Sequence, residues 1–188
     1  LIVKVANTSI VYGDTATLVP TSVQYLDGSN VIKSLTQTSA FGNNRYTYSD
    51  GVGGSATFTL TSTGTTSTSG TLVAGTNFSI TGINYSKVSN NFSGDPLYTG
   101  SLSVAQRALA ASTTNVSKVY DGSTSMSGLT IDLSTVVAGD LVSATGVGAF
   151  SQGIVASNLN YSISNLSLNG ADKNNYYLTG GTSLNGSN

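Results

Sequence analysis

The sequence lacks the side chains on which most enzyme chemistry depends. It has no His, Cys, Trp or Glu, so its eight acidic residues are all Asp. These absences remove the usual general bases, the thiol nucleophile and the soft metal ligands. No Ser stands three residues before a Lys, so a Ser nucleophile has no Lys base at helical spacing. We therefore expect a protein that is not an enzyme and that has no catalytic residue, cofactor or metal site.

Charge is scarce as well. Charged residues make up 8% of the 188 residues, and seven basic against eight acidic side chains leave a net charge of −1. An ordinary globular domain has about 25% charged residues. The basic residues are scattered singly, so they form no positive stripe for phosphates. No apolar run reaches the length of about 18 residues that a membrane helix needs. The composition thus predicts neither a nucleic-acid partner nor membrane insertion.

Small polar residues take the place of charge. The chain has 56 Ser and Thr, 17 Asn and 22 Gly, which together exceed half of its length. This composition first suggests disorder, but ten Tyr and regularly spaced aliphatic residues favour a packed core. Thr, Val, Ile and Tyr prefer strands, and the strong helix formers are sparse. The sequence predicts an all-β protein.

Short alternations of apolar and polar residues predict the individual strands. They recur at Val3 and Val5, at Phe58 and Leu60, at Phe78 and Ile80, at Leu102 and Val104, and at Leu159, Tyr161 and Ile163. Turn-forming residues separate them at 27–30, 50–51, 53–54 and 169–170, which predicts hairpins. After Ser164 the apolar phase slips by one position, which predicts a β-bulge near Asn165.

An internal repeat relates the two halves of the chain. Residues 1–14 (LIVKVANTSIVYGD) align with residues 109–122 (LAASTTNVSKVYDG) at an offset of 108. The alignment sets the triplet Tyr12, Gly13, Asp14 opposite the triplet Tyr120, Asp121, Gly122. We expect both Tyr rings to be equivalent core residues and the Asp and Gly to form the following turns, a structural role. The alternative is an exposed Tyr that stacks on a sugar.

The repeat predicts two domains, residues 1–104 and residues 105–188, each a small β-sandwich-like fold. The connection at 103–110 has no Gly or Pro and keeps a strand-like alternation, so we expect a stiff strand that joins the domains end to end. A continuous parallel β-solenoid is the alternative architecture. It would need repeats of about 20 to 30 residues, and the sequence has none. We expect a monomer.

Several motifs resemble known repeat families. The first half, with VYGD at 11–14, is similar to the MBG-type (YGX) repeat. The second half resembles the YDG domain through KVYDGST at 118–124, VVAGDLVSATG at 136–146 and NGADKNNY at 169–176. The Ser/Thr/Gly tract at 62–75 matches neither family. Both families occur in tandem in bacterial haemagglutinin-like filamentous adhesins, so the resemblance implies a secreted protein of the bacterial cell surface.

The resemblance also implies a function. Such domains form the stalk of an adhesin that supports adhesion or biofilm formation, and their partners are the neighbouring repeat domains of the same chain. The absence of Cys agrees with export of an unfolded chain. The alternative is a binding module that contacts a glycan or matrix polysaccharide through exposed Tyr and Asn side chains. Its partner would be a surface glycan or a host receptor.

Asp and Lys residues leave two further possibilities open. Asp27, Asp121, Asp140 and Asp172 would be the first candidates for calcium ligands, but the dense D-x-D-x-D-G spacing is absent, so we expect a metal-free protein. An isopeptide crosslink from Lys4 or Lys118 to an Asn or Asp would need a spatial neighbour that the sequence does not identify.

Overall fold

Strands dominate the fold. A computed structural model describes residues 1–89, 91–92, 94–114 and 116–187. Within these ranges the one helical element is a single 3-10 turn, Lys173–Asn175. The prediction of an all-β protein is confirmed. Among the described residues, no helix has the length and apolar character needed to cross a membrane.

The chain divides into two compact units. The first unit consists of Leu1–Thr65 and Gly75–Ala105, and the second consists of Thr66–Ala74 and Gln106–Asn188. The boundary at 105 lies one residue from the predicted one, but residues 66–74 belong to the second unit rather than to the first. The physical reason is hydrogen bonding to side chains about 70 to 100 positions away in sequence, which a Ser/Thr-rich tract does not reveal.

Two sheets form the first unit. One contains β1 (Ile2–Val5), β3 (Pro20–Leu26), β4 (Ile32–Ser34) and β9 (Leu97–Thr99), in the order β4-β3-β1-β9. The other contains β2 (Thr8–Val11), β5 (Thr36–Phe41), β6 (Arg45–Ser49), β7 (Ser55–Ser62), β8 (Asn77–Val88) and β10 (Ser101–Ala105), in the order β2-β10-β8-β7-β6-β5.

Buried side chains from both sheets of the first unit and from the segments between strands share one core. This cluster contains Val3, Val5, Leu18, Val23, Leu35, Tyr46, Tyr48, Ala56, Phe58, Leu60, Ile80 and Phe92. The Phe58 ring stacks on Tyr48 with centroids 5.9 Å apart and meets Tyr98 edge-on at 5.8 Å. The alternating residues predicted for β1, β7, β8 and β10 are all buried, as the alternation requires.

The second unit has shorter strands and a smaller core. Its strands are β11 (Arg107–Leu109), β12 (Ala111–Ser112), β13 (Asp132–Leu133), β14 (Ser143–Phe150), β15 (Asn160–Asn169), β16 (Tyr176–Leu178) and β17 (Leu184–Ser187). They form the sheets β11-β16, β12-β13 and β14-β15-β17. Its buried apolar residues, within the described ranges, are Leu109, Phe150, Ile163, Leu166 and Tyr176.

The predicted bulge at Asn165 is confirmed. Asn165 has φ 52, and the register between β14 and β15 shifts opposite it. The extra residue lets Ile163 and Leu166 both face the core although they are an odd number of positions apart. The first unit has the same device at Asn84, with φ 54 and a register shift between β7 and β8.

Two of the predicted turns close hairpins, and a third does not. Asp27 Oδ1 accepts the N–H groups of Ser29 and Val31 between β3 and β4. Residues 50–54 connect β6 to β7. Residues 169–170 instead lead from β15 to the 3-10 turn. There Gly170, with φ 105, packs directly against the Leu141 carbonyl, where a Cβ would overlap it.

Candidate functional site

Tyr12 is the buried residue of the first Tyr motif, Tyr12, Gly13 and Asp14. Its ring is fully buried, and its N–H donates to the carbonyl oxygen of Ala105 at 2.8 Å. The Asp14 N–H then donates to the Val11 carbonyl at 3.0 Å, and Gly13 has φ 86. The triplet therefore ends β2 with a tight turn in which Gly supplies the left-handed backbone conformation.

Tyr120 lies in a different environment, and the prediction that it is a core counterpart of Tyr12 is wrong. Its side chain is 60% exposed. Val11 belongs to β2 and pairs with β10, which directs the next side chain inward. Val119 belongs to a loop, so nothing orients Tyr120 toward the core. The sequence alignment equated two segments that differ in strand pairing.

Lys118 organises the loop that carries Tyr120. Its ammonium group donates to Ser123 Oγ at 2.7 Å, to the Ser123 carbonyl at 3.0 Å and to the Ser125 carbonyl at 2.9 Å. It also lies 2.7 Å from Asp121 Oδ1. The hydrogen bond from Lys118, together with the Ser123 N–H, lowers the pKa of Asp121 to about 2. Lys118 thus has an exposed ionic partner that keeps the loop compact.

The Tyr120 loop borders a groove of about 200 Å³. The loop is fixed to β14, because Phe150 N–H donates to the Thr124 carbonyl at 2.8 Å. Gly153 sits so close to Gly122 that a Cβ would lie 2.9 Å from the Gly122 carbonyl oxygen. Tyr120, Lys118 and Gln152 line the groove, with an exposed apolar rim at Ile154 and Val155. An aromatic face beside the Gln152 amide is a surface on which a sugar ring can stack, whereas the Lys118 ammonium is already used within the loop.

Asp172 is the centre of a second polar cluster. Its carboxylate is buried and accepts the Leu141 N–H at 2.8 Å, the Thr68 N–H at 3.1 Å and the Thr68 hydroxyl. Burial raises the pKa of Asp172, but these hydrogen bonds outweigh it and hold the pKa below its ordinary value. The residue is therefore an ionised acceptor inside the second unit.

Asp140 and Asn175 extend this cluster. Asp140 Oδ1 accepts the Ser67 hydroxyl at 3.1 Å, and its Oδ2 accepts the Tyr176 hydroxyl. Asn175 Oδ1 accepts the Ala74 N–H at 2.9 Å. Asp140, Asn175 and Asp172 thus hold residues 66–74 in the second unit. Asp140, Asp172 and Asn175 belong to sequence motifs at 136–146 and 169–176. Their hydrogen-bond partners lie in the Ser/Thr-rich residues 66–74, where the sequence shows no motif.

The Asp residues considered as calcium ligands lie apart from one another or already accept hydrogen bonds. Asp27 and Asp121 lie in separate turns, and Asp140 and Asp172 are occupied by hydroxyl and N–H donors. Across residues 1–89, 91–92, 94–114 and 116–187, no three His, Cys, Asp or Glu side chains are grouped so that they could hold an ion. The expectation of a metal-free protein stays a prediction.

The Lys118 loop and the Asp140 and Asp172 carboxylates all lie within one family match. Residues 105–183 match the YDG domain. This match covers most of the second unit but not residues 66–74, which the Asp140, Asp172 and Asn175 side chains of the matched region hold. No curated protein and no solved structure matches the chain.

Proposed function

We propose that this chain is a section of the structural stalk of a secreted bacterial cell-surface adhesin that supports adhesion or biofilm formation. In this proposal an MBG-like (YGX-type) repeat precedes the YDG domain, and the partners of each are neighbouring repeat domains in the same monomeric chain. The observation that carries the proposal is the parallel pairing of an early strand with a late strand in each unit.

The first unit pairs its first two strands with its last two. β1 lies parallel to β9, with Ile2 opposite Leu97, and β2 lies parallel to β10, with Val11 opposite Ala105. A force on the two ends of this unit pulls such strands in opposite directions along their length. The ladder hydrogen bonds are then loaded together in shear and resist extension collectively, whereas an antiparallel hairpin pulled at its open end loses them one at a time.

The second unit has a related parallel pair, although its last strand, β17, instead pairs antiparallel with β15. Its entering strand β11 lies parallel to β16, with Arg107 opposite Tyr176 and Leu109 opposite Leu178. The Thr179 N–H extends the ladder by donating to the Leu109 carbonyl at 3.0 Å. Gln106 is the one residue between β10 and β11, so the two parallel pairs follow each other directly in sequence. Parallel strand pairs that follow one another along the chain and are loaded in shear suit a stalk that bears tension.

Single-molecule force spectroscopy tests the proposal. Handles at the two chain ends load the parallel pairs in shear. Handles on Cys introduced as Thr36→Cys and Ser49→Cys, which are opposite each other at the open end of the β5–β6 hairpin, give an unzipping control. The chain has no native Cys, so attachment is specific. We expect peak forces several times higher for the end-to-end geometry. Equal forces would contradict a load-bearing role.

Glycan binding is the second candidate, and the exposed ring of Tyr120 beside its groove favours it. A glycan array with the intact chain separates the two functions, because a pure stalk gives no signal at high protein concentration. A signal that is lost in Tyr120→Ala and retained in Tyr177→Ala would assign binding to the groove. Tyr177 is a matched control, since it is 48% exposed and does not line the groove.

A further inference from the structure

We infer that the second unit contains a peptide-acceptor cleft, formed by Asp140, Asp172 and Asn175, whose ligand is an uncharged Ser/Thr-rich turn supplied by residues 66–74. The unit is then complete only when a segment from the sequence before it occupies the cleft. This inference concerns how the unit is completed, and it does not depend on the stalk role.

The ligand segment is a preformed tight turn. The Ser67 N–H donates to the Thr71 carbonyl at 2.9 Å, and the Gly70 N–H donates to the Ser67 carbonyl at 3.0 Å. Gly70 adopts φ 81, and a bridge pairs Thr66 with Leu72. Because the turn satisfies these groups internally, little further ordering is needed for it to present its remaining donors.

Donors and acceptors in the cleft are complementary. The turn presents the Ser67 hydroxyl and the hydroxyl and N–H of Thr68, and it has no charged residue. The cleft presents two carboxylates, which can only accept when ionised. Asp140 and Asp172 also repel each other, so neutral donors between them stabilise a pair that would be unfavourable alone. The cleft therefore selects a hydroxyl-rich segment without acidic residues.

Two similar short sequences bond to neighbouring residues of the cleft. Residues 72–75 read LVAG and residues 136–139 read VVAG. The Ala74 N–H donates to Asn175 Oδ1, and the Val137 N–H donates to the Tyr176 hydroxyl. One copy comes from the unit's own continuous chain and the other comes with the turn. The bond from Ala74 to Asn175 gives the cleft a second point of recognition that uses no carboxylate.

The second unit depends on the turn because few of the unit's apolar side chains are buried. Its described core has five buried apolar side chains, so its hydrophobic stabilisation is small for its size. Asp172 is buried and receives two of its three N–H or O–H donors from Thr68. Without the turn, this carboxylate would keep only the hydrogen bond from the Leu141 N–H and would lose the two Thr68 donors that favour its ionised form.

The test replaces residues 66–74 in the full chain with nine Gly residues, which preserves the chain length. Hydrogen exchange is then followed separately for β14–β16 and for the first-unit strands β3 and β6. We expect protection of β14–β16 to fall at least tenfold while β3 and β6 keep theirs. A synthetic peptide of residues 65–75 should restore the lost protection saturably, and the same peptide with Thr68→Val and Ser67→Ala should not.

A single substitution tests the same contact if the Gly replacement unfolds the whole chain. Thr68→Val in the full chain removes the hydroxyl that Asp172 accepts and preserves side-chain volume, with the exposed Thr63→Val as its control. We expect Thr68→Val to speed hydrogen exchange in β16 and at the Leu141 N–H, and we expect Thr63→Val to leave both unchanged. Unchanged protection of β14–β16 in both the Gly and the Val variants would overturn the inference. Equal rescue by both peptides would also overturn it.

Discussion

The ring of Tyr98 occupies the space above Gly82. A Cβ added to Gly82 would lie 2.6 Å from Tyr98 Cε1 and closer still to Cζ and the phenol oxygen. Tyr161 covers Gly186 in the second unit in the same way. A glycine in a strand has no side chain to pack, and an aromatic ring that covers it buries apolar surface in that space. Burial raises the pKa of Tyr98 to about 12, as expected for a ring held away from water.

Gly82→Ala is expected to destabilise the first unit by about 1 to 3 kcal/mol, because the added methyl group displaces the Tyr98 ring. Urea unfolding measures the change. Gly28→Ala is the control, since a Cβ there meets open space. The double variant Gly82→Ala with Tyr98→Ala should cost less than the sum of the two single changes. Strict additivity would show that the two residues do not constrain each other.

Tyr12→Ala and Tyr120→Ala should differ sharply although the two Tyr are aligned in sequence. Tyr12 is fully buried, so its truncation is expected to cost about 3 to 5 kcal/mol of unfolding free energy. Tyr120 is mostly exposed, so its truncation should cost less than about 0.5 kcal/mol. Thermal unfolding monitored by circular dichroism compares them. Similar losses in the two variants would contradict the assigned burial.

Acid should weaken the second unit through Asp172. The pKa of this group is lower in the folded state than in the unfolded chain, so its contribution to stability is present above the unfolded value and is lost as the pH falls through the folded value. We expect hydrogen-exchange protection of β16 to be flat between about pH 7 and 5 and to fall below about pH 4. Asp172→Asn should reduce this dependence. A dependence unchanged by Asp172→Asn would place the acid-sensitive group elsewhere.

The pairing of Lys118 with Asp121 predicts a measurable titration. NMR of the Asp121 carboxyl carbon should give a midpoint near pH 2, the pKa that the Lys118 hydrogen bond and the Ser123 N–H produce. Lys118→Gln should raise the midpoint toward that of an ordinary Asp. Lys4→Gln serves as the control, since Lys4 lies in β1 of the other unit. An Asp121 midpoint that does not move in Lys118→Gln would refute the pairing.

Calcium should leave stability unchanged. The carboxylates of Asp140 and Asp172 already accept neutral donors, so an ion would have to displace them. We expect the same melting midpoint in millimolar EDTA and in millimolar calcium. A rise of more than about 5 °C in calcium, on the order of 1 kcal/mol for a domain of this size, would show a bound ion. Asp27, Asp121, Asp140 and Asp172 would then be mutated first.

Local sequence determined the class of structure and many of its strands. Alternation at Val3 and Val5, or at Phe58 and Leu60, reports which face of a strand is buried, because successive side chains point to opposite sides. The phase slip predicted the bulge at Asn165 for the same reason. These features depend on residues a few positions apart, so a single sequence is enough to read them.

Tertiary structure alone decided which segments meet. Tyr12 is buried and Tyr120 exposed because one follows a strand paired with β10, whose residues lie 94 positions later, and the other lies in a loop. Thr68 likewise gained its role from Asp172, 104 positions later. Hydrogen-bond donors on Ser and Thr look alike throughout this chain. Which acceptor each one meets is selected by the free energy of the whole packed unit, and no local pattern records it.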